Sequence, residues 1–248
     1  SFPTRRSSDL VLTLKAIKGE APFKGRKLDN LRLVAVMNPI NALQFFVDAK
    51  TGAKSIQDIK DKKIPLRITV NRQGTLIDVA TEELLKTYGI TYSDIAKWGG
   101  KVHKIPGPEA TDLWDAGQMD AIVEVSQFPT SRFYELGQKH DLIMLPIDPA
   151  NQEKLNKELG TSSLTIPAGT YSFQKEDCPT VSSQLLLITS ADQPDEVITG
   201  VLKAMTANID YLHSVHANLR DLSPETMSAN TSIPMHPAAE KFFRELKK

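Results

Sequence analysis

One unit constrains the fold of this chain more than any other: an apolar strand, a glycine turn, an amphipathic helix, and a second strand opened by an acidic turn. The first strand is Leu66–Val70, and the turn is Asn71-Arg72-Gln73-Gly74-Thr75. Leu76, Val79, Ala80, Leu84 and Tyr88 then recur at helical spacing and share one apolar stripe. Gly89 stands where a left-handed residue would stop that helix. Further on, Gly117–Ala121 leads into the run Ile122–Val125. A glycine loop feeding a helix N-terminus leaves backbone N–H groups at its mouth, which suits a small anion and needs no catalytic group. The unit points first to a binder.

The rest of the chain repeats this alternation. Short apolar strands are expected at Arg32–Val36, Leu43–Val47, Leu66–Val70, Val102–Ile105, Ala121–Val125, Leu142–Leu145, Leu164–Ile166 and Gln184–Thr189. Helices are expected at Thr75–Tyr88, Pro108–Ala116, Pro129–Leu136, Asn151–Leu159, Pro194–Ser214 and Pro237–Leu246. Pro129 and Pro237 read as first helical residues, and Gly137 and Gly160 as residues just past helix ends. The class is therefore α/β with a largely parallel sheet. No repeat, low-complexity tract or Gly/Ser linker divides it.

Composition removes several functions. Lys plus Arg and Asp plus Glu number 30 each, and the charges are interspersed, so nothing favours nucleic acid or an anionic membrane surface. The longest apolar runs, such as Leu185–Ile188, are too short to span a bilayer. The single cysteine, Cys178, excludes an internal disulfide and any CxxC motif, and reads as a buried, inert thiol. There is no GxSxG elbow and no P-loop. Asp115 and Asp120 flank a tight turn and are expected to be a solvated acidic pair. His213 and His216, three apart late in a helix, fit a solvated last turn better than a metal site. No cofactor is expected.

Three stretches carry the candidate chemistry. Arg72, Gln73, Gly74 and Thr75 are expected to grip a ligand carboxylate through backbone N–H groups and the Thr75 hydroxyl; the competing reading makes Thr75 a plain N-cap, Gly74 a turn residue and Arg72 solvated. Ser126, Gln127, Phe128 and Pro129 follow a strand and open the next helix, where ligands of open α/β sheets sit. Tyr171 is expected to offer its ring and hydroxyl to the ligand, or else to be a half-buried tyrosine bonded to backbone.

Several segments together resemble the TAXI family, the solute-binding subunits of tripartite ATP-independent periplasmic (TRAP) transporters. They are Ala21-Pro22-Phe23-Lys24-Gly25, Ser55-Ile56-Gln57-Asp58-Ile59, Tyr88-Gly89-Ile90-Thr91, Trp98-Gly99-Gly100-Lys101-Val102, Asp115–Ala121, Ile166-Pro167-Ala168-Gly169-Thr170-Tyr171 and Met235–Glu245. The resemblance covers about residues 11 to 248. It implies a two-lobed periplasmic-binding-protein type 2 fold, with lobe I (11–47 and 185–248) incomplete, lobe II at 48–184, and Leu43–Val47 and Gln184–Thr189 as hinge strands.

It also implies an extracytoplasmic, periplasmic protein that captures a small organic acid, glutamate-like or a dicarboxylate, and delivers it to membrane permease subunits of a TRAP transporter. An enzyme on the same fold, or a ligand-sensing domain, is the alternative. Two departures from the family pattern stand out: the usual Gly/Ser-rich loop is Arg72-Gln73-Gly74-Thr75, and the glycine expected after His236-Pro237 is Ala238. Residues 1–10, Ser1-Phe2-Pro3-Thr4-Arg5-Arg6-Ser7-Ser8-Asp9-Leu10, resemble a translated sequencing adapter. They are expected to be a non-native leader standing where the family has a signal peptide and a glycine-rich first strand and helix.

Overall fold

Two long strands organise the protein. A computed structural model describes residues 6–216, 219–229 and 232–246. In it β2 runs over Leu31–Asp48 and β8 over Cys178–Ser190, far longer than the segments expected at Arg32–Val36, Leu43–Val47 and Gln184–Thr189. β2 continues unbroken through Asn38-Pro39 because proline's fixed φ suits an extended strand, and it forfeits only one ladder donor. There the buried Asn38 side chain accepts from the Ile40 N–H at 3.0 Å.

The elements follow in order: β1 (Arg6–Asp9), α1 (Leu10–Lys18), β2, α2 (Ile56–Asp61), β3 (Arg67–Thr69), α3 (Leu76–Thr87), α4 (Tyr92–Lys97), β4 (Lys101–His103), α5 (Gly107–Asp115), β5 (Ala121–Ser126), α6 (Ser131–Lys139), β6 (Leu142–Met144), α7 (Pro149–Leu159), β7 (Ser162–Ile166), β8, α8 (Asp195–Ala207), α9 (Ile209–Val215), α10 (Pro224–Met227) and α11 (Pro237–Leu246). The described strands form one open mixed sheet of order β1-β8-β2-β5-β3-β4, with β6 added to β2 and β7 to β8. Among the described strands, β3 pairs in parallel with both β4 and β5, whereas β2–β5, β2–β6, β7–β8 and β1–β8 are antiparallel. The expectation of a largely parallel sheet is corrected accordingly: the long strands each turn back on a short neighbour.

The chain divides into two compact units, one built from the residues up to Asn41 with those from Ser183 onward, the other from Ala42–Ser182. In the first unit Val34 and Ala35 of β2 pack with Ile198 and Leu202 of α8 and with Ala239 and Phe243 of α11. Leu33 and Val36 pack with Leu10 of α1 and Leu186 of β8. Helix α1 lies where no helix was expected, although its ends were readable: Asp9 accepts from the Leu12 N–H at 2.7 Å, and Gly19 ends the helix at φ 74°. Of the ten residues read as a leader, the first five lie outside the described residues, while Arg6–Asp9 pair with Leu185–Ile188 of β8. The single helix expected over Pro194–Ser214 is two, because Asn208 leaves the helical region at φ −121° and ψ 31° and its side-chain amide donates to the Ala204 carbonyl.

In the second unit the core is aromatic. Phe46, Phe133, Tyr171 and Trp114 are all buried there, with Phe173 packed against them. Gly137, expected to follow a helix end, lies inside α6, and the reason is steric: a Cβ at that position would overlap the Phe173 ring. Helix α4, also unexpected, carries a full capping box between Thr91 and Asp94, a spacing that the bare sequence displays.

Asp120 is not the solvated acid expected. It is buried and holds Arg67 in a two-pronged pair, Nε to Oδ2 and Nη2 to Oδ1, each at 2.6 Å. Asp115, across the same turn, accepts instead from Lys139 at 2.7 Å and contacts the His140 ring at 2.8 Å. Burial opposes ionisation of Asp120, but the Arg67 hydrogen bonds and charge outweigh it and leave its pKa below the usual carboxylate value. A depressed folded-state pKa gives stability that is present above the unfolded-state value and disappears as pH falls through the folded one. Acid titration is thus expected to weaken the wild type more than Asp120→Asn between about pH 4 and pH 2, as read by urea denaturation at each pH. Parallel losses in the two proteins would contradict it.

Candidate functional site

Three helices of the second unit start from the C-terminal ends of adjacent parallel strands: α3 after β3, α5 after β4 and α6 after β5. After β3 the chain turns through Asn71 at φ 63° and Gly74 at φ 74°. Asparagine tolerates that region because its short side chain bonds locally, here by accepting from the Arg72 N–H at 2.7 Å. Gly74 needs no such help. Arg72 and Gln73 are exposed at the tip of the turn.

Thr75 takes the N-cap position, but its side chain does not cap the helix; the hydroxyl donates to the Arg72 carbonyl at 2.7 Å. The capping acid is Asp78, which the sequence reading passed over. It is buried, accepts from the Gly74 N–H at 2.8 Å, and is met by the Tyr92 hydroxyl at 3.2 Å and Lys104 Nζ at 3.1 Å. Its placement three residues after Thr75 was the readable signal. The remaining first-turn amides, from Leu76 onward, are the donors that any helix start leaves over. Thr75→Ala is therefore expected to cost only about 0.5–1.5 kcal/mol of stability, one hydrogen bond in a partly exposed turn, as measured by thermal denaturation. A cost well above that would mean the hydroxyl supports more than the turn.

The second group forms at the end of β5. Gln44 of β2, fully buried, stands opposite Glu124 in the β2–β5 register. Its amide donates to Ser126 Oγ at 3.2 Å, and its carbonyl oxygen accepts from the Tyr171 hydroxyl at 2.6 Å. The same Tyr171 oxygen accepts from the Thr130 N–H at 3.1 Å. Tyr171 is itself fully buried, with its ring stacked on Phe173 at 5.3 Å and edge-on to Phe46 at 5.6 Å. Burial raises its phenol pKa, so the hydroxyl remains a donor at neutral pH.

The structure thus ties Ser126, Thr130 and Tyr171 into one hydrogen-bonded set. Within it Ser126 donates to the Gln127 carbonyl at 3.1 Å, Phe128 packs against the aromatic core, and Pro129 is exposed. Pro129 does not begin the helix; Thr130 is the N-cap and α6 starts at Ser131. The Arg72–Thr75 turn lies apart from this set, at the end of the neighbouring strand.

Sequence reading also missed two charged residues here. Arg132, in the first turn of α6, donates to Glu124, and its guanidinium lies 4.6 Å from the Phe133 ring centroid. Burial raises the Glu124 pKa, opposed by the Arg132 charge and the Val125 N–H. A glutamate breaking the apolar run of β5, and a glutamine amid the apolar Leu43–Val47 segment, were the available signals. Cys178 is buried, and burial pushes its thiol up to about 12, consistent with the inert role expected.

Among the described residues no helix is long and apolar enough to cross a membrane. The solved structures that this chain is similar to include three binding proteins. The alkanesulfonate-binding protein SsuA from Xanthomonas axonopodis pv. citri, bound to MOPS, matches at 13% identity and a TM-score of 0.48, over 97% of this chain and 65% of that one. A TctC solute binding protein from Polaromonas matches at 16% identity and a TM-score of 0.45, over 98% of this chain and 77% of that one. The periplasmic aliphatic sulphonate binding protein SsuA from Escherichia coli matches at 13% identity and a TM-score of 0.46, over 97% and 65%. The chain spans less than two thirds of the length of either SsuA protein. Likeness at this level assigns no ligand. A family model, in contrast, matches residues 9–246, almost the whole length: the chain belongs to the NMT1-like family.

Proposed function

We propose that this protein is the extracytoplasmic, periplasmic solute-binding subunit of a TRAP transporter, and that it captures a small organic acid and hands it to the membrane permease subunits. The observation that carries the reading is the row of helix starts α3, α5 and α6 at the C-terminal ends of three adjacent strands. Ligands of open α/β sheets collect at that edge, and helix starts there offer N–H donors to an anion.

In this reading the ligand-facing groups are the exposed Arg72-Gln73-Gly74-Thr75 turn and the Ser126-Gln127-Phe128-Pro129 loop. Tyr171 serves as the buried post that fixes the loop. Such a site binds without chemistry: hydrogen-bonded turns supply geometry, and no nucleophile paired with a base is needed. The TAXI assignment rests on the ordered motifs from Ala21-Pro22 to Met235–Glu245.

The test is uptake. Proteoliposomes carrying TRAP permease subunits from the same source should accumulate labelled succinate or L-glutamate only when the protein is added. Accumulation without it, or none with it for any organic acid, would refute the reading.

A further inference from the structure

We propose that Arg132 is the receptor for the acid group of the bound solute, and that Glu124 occupies it as an internal stand-in until the solute arrives. The inference rests on the solute-binding reading above and names the residue that gives it charge selectivity.

The protein contains a second arginine–carboxylate pair for contrast. Arg67 and Asp120 meet with two parallel contacts, and Arg67 also donates to the Gly117 carbonyl at 2.8 Å, so that pair locks a turn. The Glu124–Arg132 pair is one-pronged: Nη2 meets Oε2, while Oε1 accepts from the Val125 N–H at 3.2 Å. A guanidinium presents five N–H donors in a planar fork matched to two oxygens of one anion, and a single-pronged partner leaves that fork mostly unused. Asp78, the acid at the start of α3, differs again. It is held by a backbone N–H, a tyrosine hydroxyl and a lysine together, and has no freedom to yield.

The surroundings fit an exchangeable partner. Glu124 and Ser126 alternate along β5 and so face the same side of the sheet, which sets the pair beside the Ser126–Thr130 loop. The Arg132 side chain retains about a quarter of its exposure (26%), enough to be reached from solvent. Its Nη1 lies against Gly107, the first residue of α5, where any Cβ would overlap it. The glycine keeps a channel for the guanidinium between two helix starts, whose partial positive charges add to its own. One desolvated carboxylate does not neutralise that sum. The complementary ligand is an oxyanion headgroup, carboxylate or sulfonate, able to take both prongs.

The test uses the full chain as wild type, Arg132→Gln, Arg132→Lys and Glu124→Gln. Each is titrated with sodium succinate and sodium ethanesulfonate, with sodium chloride at equal ionic strength as control. The readouts are the arginine side-chain 15Nε spectrum, the dissociation constant and a melting curve without ligand. In the wild type the Nε resonance that Arg132→Gln removes should shift saturably with succinate, ethanesulfonate or both, and not with chloride; the responding anion identifies the headgroup. Glu124→Gln should bind that anion about tenfold tighter, and Arg132→Gln at least about thirtyfold weaker. Arg132→Lys, which keeps the charge without the fork, should fall between, and carries the test if Arg132→Gln does not fold.

Undiminished binding in both arginine variants would overturn the inference while leaving the solute-binding reading intact. Unchanged or weaker binding in Glu124→Gln would overturn the stand-in role. Failure of the wild type and Glu124→Gln to bind either anion would overturn the inference and the organic-acid reading together.

Discussion

Replacing Phe46 with alanine is expected to remove about 3–5 kcal/mol of stability, the range for deleting a fully buried aromatic ring. Phe46 sits at the centre of the second unit's core, 4.2 Å from the Phe133 ring, 5.6 Å from Tyr171 and 6.0 Å from Phe173. The position couples packing to the candidate site. Phe133 belongs to α6, and Tyr171 holds the Thr130 N–H and Gln44. A cavity at Phe46 therefore loosens the wall behind the Ser126–Thr130 loop as well as the core. Phe46→Leu, which keeps most of the volume, should cost under about 1.5 kcal/mol. Urea denaturation of the three proteins checks this. A Phe46→Ala loss no larger than that of Phe46→Leu would mean the ring is not the centre of the cluster.

Asp78→Ala should be nearly as costly, about 3 kcal/mol, for an electrostatic reason. The substitution strands the Gly74 N–H and Lys104, which both turn toward this one carboxylate, while the Tyr92 hydroxyl, 3.2 Å from the carboxylate, keeps the Asp78 main-chain carbonyl at 3.0 Å. Removing one member of a buried pair leaves the other members desolvated and unpaired. Lys104, with 35% of its side chain exposed, recovers part of its hydration by swinging out; the Gly74 amide, fixed in the backbone of the turn, has less room to do so. Asp78→Asn keeps an acceptor and should lose roughly half as much. Thermal denaturation separates the two. Equal losses would show that the charge itself, not the accepted hydrogen bonds, holds the turn.

Much of this architecture was legible because periodicity and punctuation agreed. The stripe Leu76, Ala80, Leu84 with Gly89 after it marks α3 to within a residue, and Pro237 opens α11 as its position implied. Gly160 ends α7 in the left-handed region. Where local rules failed, a partner distant in sequence had intervened. Gly137 looked like a stop signal because nothing in its own neighbourhood reveals the Phe173 ring above it. Asp120 looked solvated because Arg67 lies far back in the chain, on β3. Met37–Asn41 looked like a break between strands, since proline and asparagine usually punctuate, yet proline's fixed φ suits extended backbone and let β2 run on.

The site divides the same way. The turn at Arg72–Thr75 and the loop at Ser126–Pro129 follow from strand–turn–helix pattern alone. Gln44, Glu124 and Arg132 gain meaning only when β2 lies beside β5 and α6 folds back over it. Tyr171 belongs to both classes: the sequence marked it, and the fold buried it as the support of the loop rather than leaving it at the surface.

The central claim, that this protein binds an organic acid without transforming it, is most directly tested by isothermal titration of the full chain with succinate and L-glutamate, followed by mass analysis of the recovered ligand. The account predicts a saturable, one-to-one heat with at least one of these acids, and recovery of that acid unchanged. Conversion of the acid to a product, or no saturable heat with either, would contradict it.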